Sequence, residues 1–239
     1  MWVRPLGTVP FRPRPARSLT SVICALVLLS CGDIEVNPGP ESPSQSFGSS
    51  QFINFGVLNI RSVVHKAPSL HDIINYFQLD VIALTETWID DDAPPAIKND
   101  VAPDGYSVLH VHRAAVLGGS TRGGGLAVVH RNTLPVRVHP LSTSTIAHTT
   151  YDRQIVKLVL PSSFIIIVNI YRPPAGSNAS FIEELADLIA SIVANTNDKL
   201  LLCGDFNCPA SDGSHVDDDL QSLLKSFGLD LLDHEPTRG

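Results

Sequence analysis

From residue 52 onward the chain alternates two hydrophobic rhythms. Short apolar runs rich in Val and Ile lie at 52–60, 80–85, 106–112, 125–130, 154–160 and 163–171, and read as strands. Between them apolar residues recur at helical spacing. Leu70, Ile73, Ile74 and Phe77 mark a first helix, and Leu185, Leu188, Ile189, Ile192 and Val193 mark a second over 181–194. Ser180 and Glu183 have the spacing of a capping box at its start. A third helix opens at 217–219 with an acidic first turn, carries Leu220, Leu223, Leu224 and Phe227, and ends at Gly228. Strands separated by helices and long loops predict an α/β (α+β) sandwich with the strands inside.

The most informative run is Leu200-Leu201-Leu202-Cys203-Gly204-Asp205-Phe206-Asn207. Four apolar residues before a glycine predict a strand buried on both faces. Continued alternation would send Asp205 and Asn207 to one face at its end, where sheet proteins place their chemistry. Three other strand ends share this logic: Asn59 in L-N-I-R-S, Glu86 in T-E-T-W, and Tyr171 in N-I-Y-R-P-P. Arg122-Gly123-Gly124-Gly125 precedes a further strand. The run Asp90-Asp91-Asp92 reads as a solvated loop.

The first fifty residues differ. Residues 1–17 are rich in proline and arginine, and 19–31 form an apolar run too short to span a bilayer but suited to the core of a secretory signal peptide. A Ser/Pro/Gly-rich linker follows over 41–51. Residues 1–39 carry a net charge of +2 and the remainder -9, out of -7 for the whole chain of 239 residues. An acidic domain has no general attraction for polyanions, which argues against a simple nucleic-acid-binding module and asks for a metal or a local basic patch. The four cysteines show no C-x-x-C spacing, so neither a zinc site nor a disulfide framework is indicated.

Two resemblances carry these residues further. Asp33-Ile34-Glu35-Val36-Asn37-Pro38-Gly39-Pro40 resembles the 2A-like peptides that make a ribosome skip one peptide bond. That implies release of residues 1–39 and a fresh start at Pro40, with Asn37, Pro38, Gly39 and Pro40 at the skipped bond. Proline is a hindered nucleophile, and a rigid Asn37-Pro38 can hold the Gly39 ester out of attack geometry. L-N-I-R-S, T-E-T-W, R-G-G-G, Y-R-P-P, G-D-F-N and Pro236-Thr237-Arg238, in that order, resemble the endonuclease/exonuclease/phosphatase family. Within it the likeness is to the DNA-nicking endonuclease domain of non-LTR retrotransposons.

The family resemblance implies a four-layer sandwich over 52–239, with two packed mixed β-sheets flanked by helices, preceded by a leader over 1–40. It implies phosphodiester hydrolysis with Mg²⁺ (or Mn²⁺) held by Glu86 and Asn59. Asp205 would orient or deprotonate the attacking water, Asn207 would donate to a phosphate oxygen, Tyr171 would contact the phosphate, and Asn59 would assist. Arg61, Arg122 and Arg172 are candidate contacts to a DNA backbone. The family pattern continues past the threonine motif to an aspartate strand and a Ser-Asp-His, whereas this sequence stops at Gly239. The expectation is therefore a domain whose last strands are missing and whose nicking is impaired. Two alternatives stay open: an inert fragment whose activity is the 2A-like processing, and a phosphatase of the same fold acting on a phosphoinositide or sphingolipid. The resemblance also implies a reverse transcriptase encoded downstream. Residues 40–239 would be cytoplasmic or nuclear after skipping, or secreted if 19–31 acts as a signal peptide.

Overall fold

A computed structural model describes residues 27–29, 53–112, 124–142, 149–161, 163–174, 176–196, 198–209 and 216–232. The strands are β1 (Val27–Leu29), β2 (Phe55–Asn59), β3 (Val81–Thr85), β4 (Tyr106–Val111), β5 (Leu126–Arg131), β6 (Val136–Val138), β7 (Asp152–Val159), β8 (Phe164–Tyr171), β9 (Lys199–Asp205) and β10 (Asp230–Leu232). The helices are α1 (Ala67–Tyr76), α2 (Pro95–Asn99), α3 (Asn178–Asn195) and α4 (Asp218–Ser226). They build two mixed sheets: a four-stranded one ordered β2-β3-β5-β4 and a six-stranded one ordered β10-β1-β9-β8-β7-β6. No helix among the described residues is long and apolar enough to cross a membrane.

Alternation along the central strands sorts their side chains into separate cores. In β9, Leu200 and Leu202 pack under α3 and α4 with Phe181, Leu185, Leu188 and Leu224. The intervening Leu201 and Cys203 face the other sheet, with Phe55, Val57, Val81, Ala83, Ile165 and Ile167. In β3, Ile82 and Leu84 turn outward to meet Leu70 and Ile74 of α1. The order is therefore helix, sheet, sheet, helix: the expected four-layer sandwich. Each buried Leu, Ile or Val contributes roughly 1.5–3 kcal/mol by leaving water, which makes three stacked apolar layers hard to slide out of register.

Element ends differ from expectation in instructive ways. Helix α3 starts three residues before the predicted capping box: Ser177 is its N-cap and accepts from the Ser180 amide at 3.4 Å. Helix α4 begins as predicted, with Asp217 accepting from the amides of Asp219 and Leu220. The short α2, absent from the sequence reading, has no buried residue, so it left no apolar stripe to find. Residues 27–29, assigned to the leader from sequence, pair antiparallel with both β9 and β10. Asp90, Asp91 and Asp92 are exposed, as a solvated loop requires.

Candidate active site

The face between the sheets changes character along its length. Its middle is apolar, and one end is a layer of buried polar residues: Asn59 on β2, Thr85 on β3, Asp152 and Gln154 on β7, Asn169 on β8 and Asp205 on β9. Register explains the grouping. Asn59 lies opposite Thr85, Asn169 lies between Gln154 and Cys203, and Tyr171 lies between Asp152 and Asp205. Alternation puts Asp205 on the same face as Leu201 and Cys203, and Asn59 on the same face as Phe55 and Val57.

Three hydrogen bonds tie the sheets together at this end. Asn169 Nδ2 donates to Leu84 O at 3.0 Å, Gln154 Nε2 to Leu109 O at 2.7 Å, and Asn59 Nδ2 to Asp205 Oδ2 at 2.6 Å. The same Asn59 amide donates to Glu86 Oε1 at 2.8 Å. One NH₂ group therefore bridges two carboxylates from opposite sheets, while Asn59 Oδ1 accepts from the Arg61 amide at 3.2 Å. Residues 27 and 146 positions from Asn59 in sequence meet at its side chain.

Asp205 is held in a setting that resists ionisation. Burial pushes its carboxyl above the ordinary carboxylate range. The Asn59 hydrogen bond and the Asn207 amide (3.3 Å to Oδ1) pull it down, the Glu86 charge pushes it up again, and Arg61 pulls it down. Arg61 is exposed at the cleft and near enough to act on Asp205 through its charge.

Two glycines let the strands come this close. At Gly204, φ is +127° and an added Cβ would lie 1.9 Å from the Ile170 carbonyl oxygen, so only glycine lets β9 approach β8 one residue before Asp205. At Gly125, φ is +83° and a Cβ would fall 2.6 Å from Thr87 Oγ1, beside the loop that carries Glu86. Strained backbone gathers at the same end. Arg61, Ser62, Glu86, Trp88 and Asn207 all have positive φ, and all lie just past the ends of β2, β3 or β9.

Not every expected residue reaches the cleft as expected. Asn59, Glu86 and Asp205 converge through hydrogen bonds, and Tyr171 lies beside Asp205 in the strand register. Asn207 does not continue the alternation of β9, because the strand ends at Asp205 and Asn207 sits at φ +40°. Its Nδ2 donates to Arg172 O at 2.7 Å. Arg172 corrects the expectation of a backbone-phosphate contact. It is 1% exposed, gives Nη1 to Asn207 O at 2.5 Å and Nη2 to Gly176 O at 3.0 Å, and lies over the Phe181 ring. Its charge is spent on shaping the Asn207 turn. Arg122 and the 2A-like residues Asn37, Pro38, Gly39 and Pro40 lie outside the described residues.

Sequence reading missed Thr85, Asp152, Gln154 and Asn169. A signal was present, since Asn169 interrupts an Ile/Val run, Thr85 closes one, and Asp152 and Gln154 lead into another, but only register reveals that they share one layer. Thr85 and Asn169 are fully buried, and Thr85 Oγ1 and Asn169 Oδ1 find no hydrogen-bond partner among the described residues.

The donor set suits a hard divalent cation. Two carboxylates crowd one amide, the Glu86 charge adds to the cost of ionising Asp205, and the candidate ligand atoms are oxygens. No cluster of three or more His, Cys, Asp or Glu able to hold a metal occurs among the described residues.

A fold of two packed mixed sheets with a carboxylate–amide cleft at one end defines a class, and the family comparison agrees with it. Residues 56–238 match the model of the endonuclease/exonuclease/phosphatase family, and the chain belongs to that family. Among solved structures it is similar to the endonuclease domain of TRAS1, a telomere-specific non-LTR retrotransposon, at 15% identity and TM-score 0.49 over 71% of this chain and 68% of that one. It is also similar to the 3'-5' exonuclease NExo from Neisseria meningitidis, at 18% identity and TM-score 0.48 over 72% and 70%. An AP endonuclease from Archaeoglobus fulgidus aligns at 16% identity and TM-score 0.48 over 74% and 70%. No curated protein matches the chain.

Proposed function

We propose that this chain carries the DNA-nicking endonuclease of a non-LTR retrotransposon, which hydrolyses a phosphodiester bond with the help of Mg²⁺ or Mn²⁺. The observation that carries the reading is the Asn59 amide clamped between Glu86 and Asp205. It joins the two sheets and brings together the carboxylate proposed as the metal ligand and the one proposed as the partner of the attacking water. The choice of DNA and of a retrotransposon rests on the order and wording of T-E-T-W, Y-R-P-P and G-D-F-N.

Glu86, with Asn59, would hold the cation. When bound, the cation would polarise the phosphate and stabilise the departing oxygen. Asp205 orients the attacking water and accepts its proton. Burial supports this role by making the carboxylate more basic than a solvated one. Asn59 fixes the Asp205 carboxylate by donating to Oδ2 and leaves Oδ1 to the Asn207 amide. Tyr171, one strand over on the same layer, takes the phosphate, and Arg61 at the rim supplies positive charge beside a scissile group. The reading extends to a reverse transcriptase partner in the intact element and to action on nuclear DNA.

The test is conversion of supercoiled plasmid to open circles, with and without added Mg²⁺. Cation-dependent nicking that is lost in Asp205→Ala and Glu86→Ala supports the reading. Release of phosphate from a phosphoinositide or sphingolipid monoester without nicking would replace it with the phosphatase.

A further inference from the structure

Trp88 stands apart from the rest of the cleft. Its neighbours Thr87 and Ile89 are buried, yet the indole is 40% exposed. It follows Glu86 by two residues, in a loop braced from both sides. Ser62 N donates to Glu86 O at 2.7 Å and Val63 N to Thr87 O at 3.0 Å from one flank. From the other flank Gly125 O accepts from Thr87 N, and Gly124 O from Trp88 N, both at 3.1 Å. Four backbone bonds thus hold Trp88 at φ +56°, a conformation an L-residue adopts only when its surroundings impose it. Burying this side chain would be the ordinary fate of an indole in a fold with three apolar cores. The loop instead leaves it part-exposed two residues after Glu86, the residue proposed to hold the metal, on a segment bonded to Ser62, which follows the exposed Arg61 in sequence.

Resting on the nuclease reading, we propose that Trp88 is a stacking platform for a nucleobase of the DNA strand whose phosphate lies against Glu86 and Asp205. A flat aromatic face beside a phosphate site accepts any base, because every base offers a π-face. Trp88 thus sets how the strand lies across the cleft without reading sequence by hydrogen bonds. It also supplies apolar contact where the acidic domain, with its net charge of -9 from residue 40 onward, offers little electrostatic attraction.

The experiment is intrinsic fluorescence and binding by the full chain in Ca²⁺, used in place of Mg²⁺ to limit turnover. The probes are a short single-stranded DNA, the same strand with abasic residues throughout, and polyphosphate. The protein's two tryptophans are Trp2 and Trp88. Trp88→Phe therefore isolates the signal and keeps a ring. The base-bearing strand should quench wild-type emission, while abasic strand and polyphosphate should not. The quench should vanish in Trp88→Phe. Binding of the base-bearing strand should weaken roughly 5- to 100-fold in Trp88→Ala and less in Trp88→Phe. Circular dichroism of the variants, matching wild type, excludes misfolding as the cause. Equal quenching by all three probes, or wild-type affinity in Trp88→Ala, overturns the stacking role and leaves the nuclease reading standing. Failure of wild type to bind any DNA overturns both.

Discussion

At Asn59 a single side-chain amide answers two carboxylates, so its removal exposes a conflict rather than merely a contact. Asn59→Ala leaves Glu86 and Asp205 facing each other without their shared donor. The expected result is a loss of cation-dependent nicking of roughly 10³-fold, since members of a catalytic unit fail together. Asp205→Asn tests the other side of the balance. Burial raises the Asp205 carboxyl, so metal-free folded protein keeps a proton there that the unfolded chain has already released. Stability should then fall as pH rises from the ordinary carboxylate value through the raised one. Metal-free Asp205→Asn should accordingly melt higher than wild type at neutral pH, with the gain shrinking toward about pH 3. Activity should be lost in the same variant. A lower melting temperature at neutral pH would mean that the hydrogen bonds to the carboxylate outweigh its burial.

Strands and helices with strong apolar periodicity were legible from sequence, because each has a buried face on a fixed period. Strands β2, β3, β7, β8 and β9 and helices α1, α3 and α4 all pack into one of the three cores, and all were predicted. Elements with little buried surface, such as α2 and the three-residue β6, were not. The site was legible in part for the same reason. Asn59, Glu86, Tyr171 and Asp205 end recognisable strands, whereas Arg172 looked like a surface cation because nothing in Y-R-P-P reveals that two backbone carbonyls await it. Thr85 and Asn169 needed the register of neighbouring strands, which no local pattern contains. Two predictions belong to this scale. Gly204→Ala should destabilise the fold by about 3–5 kcal/mol, as read from urea midpoints, because its Cβ overlaps the Ile170 carbonyl and φ is +127°. Glu184 of α3 accepts from the hydroxyls and amides of Thr149 and Thr150, just ahead of β7. Partial burial raises its carboxyl, but those four donors outweigh burial and hold it below the usual range. Its stabilisation should be full above the ordinary carboxylate value and lost as pH falls through the lowered one. The melting-temperature gap between wild type and Glu184→Gln should close at acid pH.

Across the whole molecule, the candidate site gathers at one end of the two packed sheets, from residues spread along the chain between Asn59 and Asp205. Ahead of them, Asp33–Pro40 presents a translational proposal of its own. Cell-free translation with a reporter fused after Pro40 should yield two products from one message, and Pro40→Ala should restore a single long one. Efficient skipping would part β1 from the sheet it pairs with, since Val27–Leu29 precede the skipped bond. A strand of three residues is too short to hold a separate peptide against its loss of freedom, so the short product should not co-purify with the long one. The claim on which the rest depends is that Glu86 and Asp205, from opposite sheets, form one metal-assisted hydrolytic site. The direct measurement is the nicking rate of wild type, Glu86→Ala, Asp205→Ala and the double variant across a Mg²⁺ titration. A shared site predicts that each single variant loses roughly 10³-fold and that the double variant loses little more. It also predicts that Asp205→Ala keeps a Mg²⁺ response which Glu86→Ala has lost. Losses that multiply in the double variant, or nicking that ignores Mg²⁺ in wild type, would contradict it.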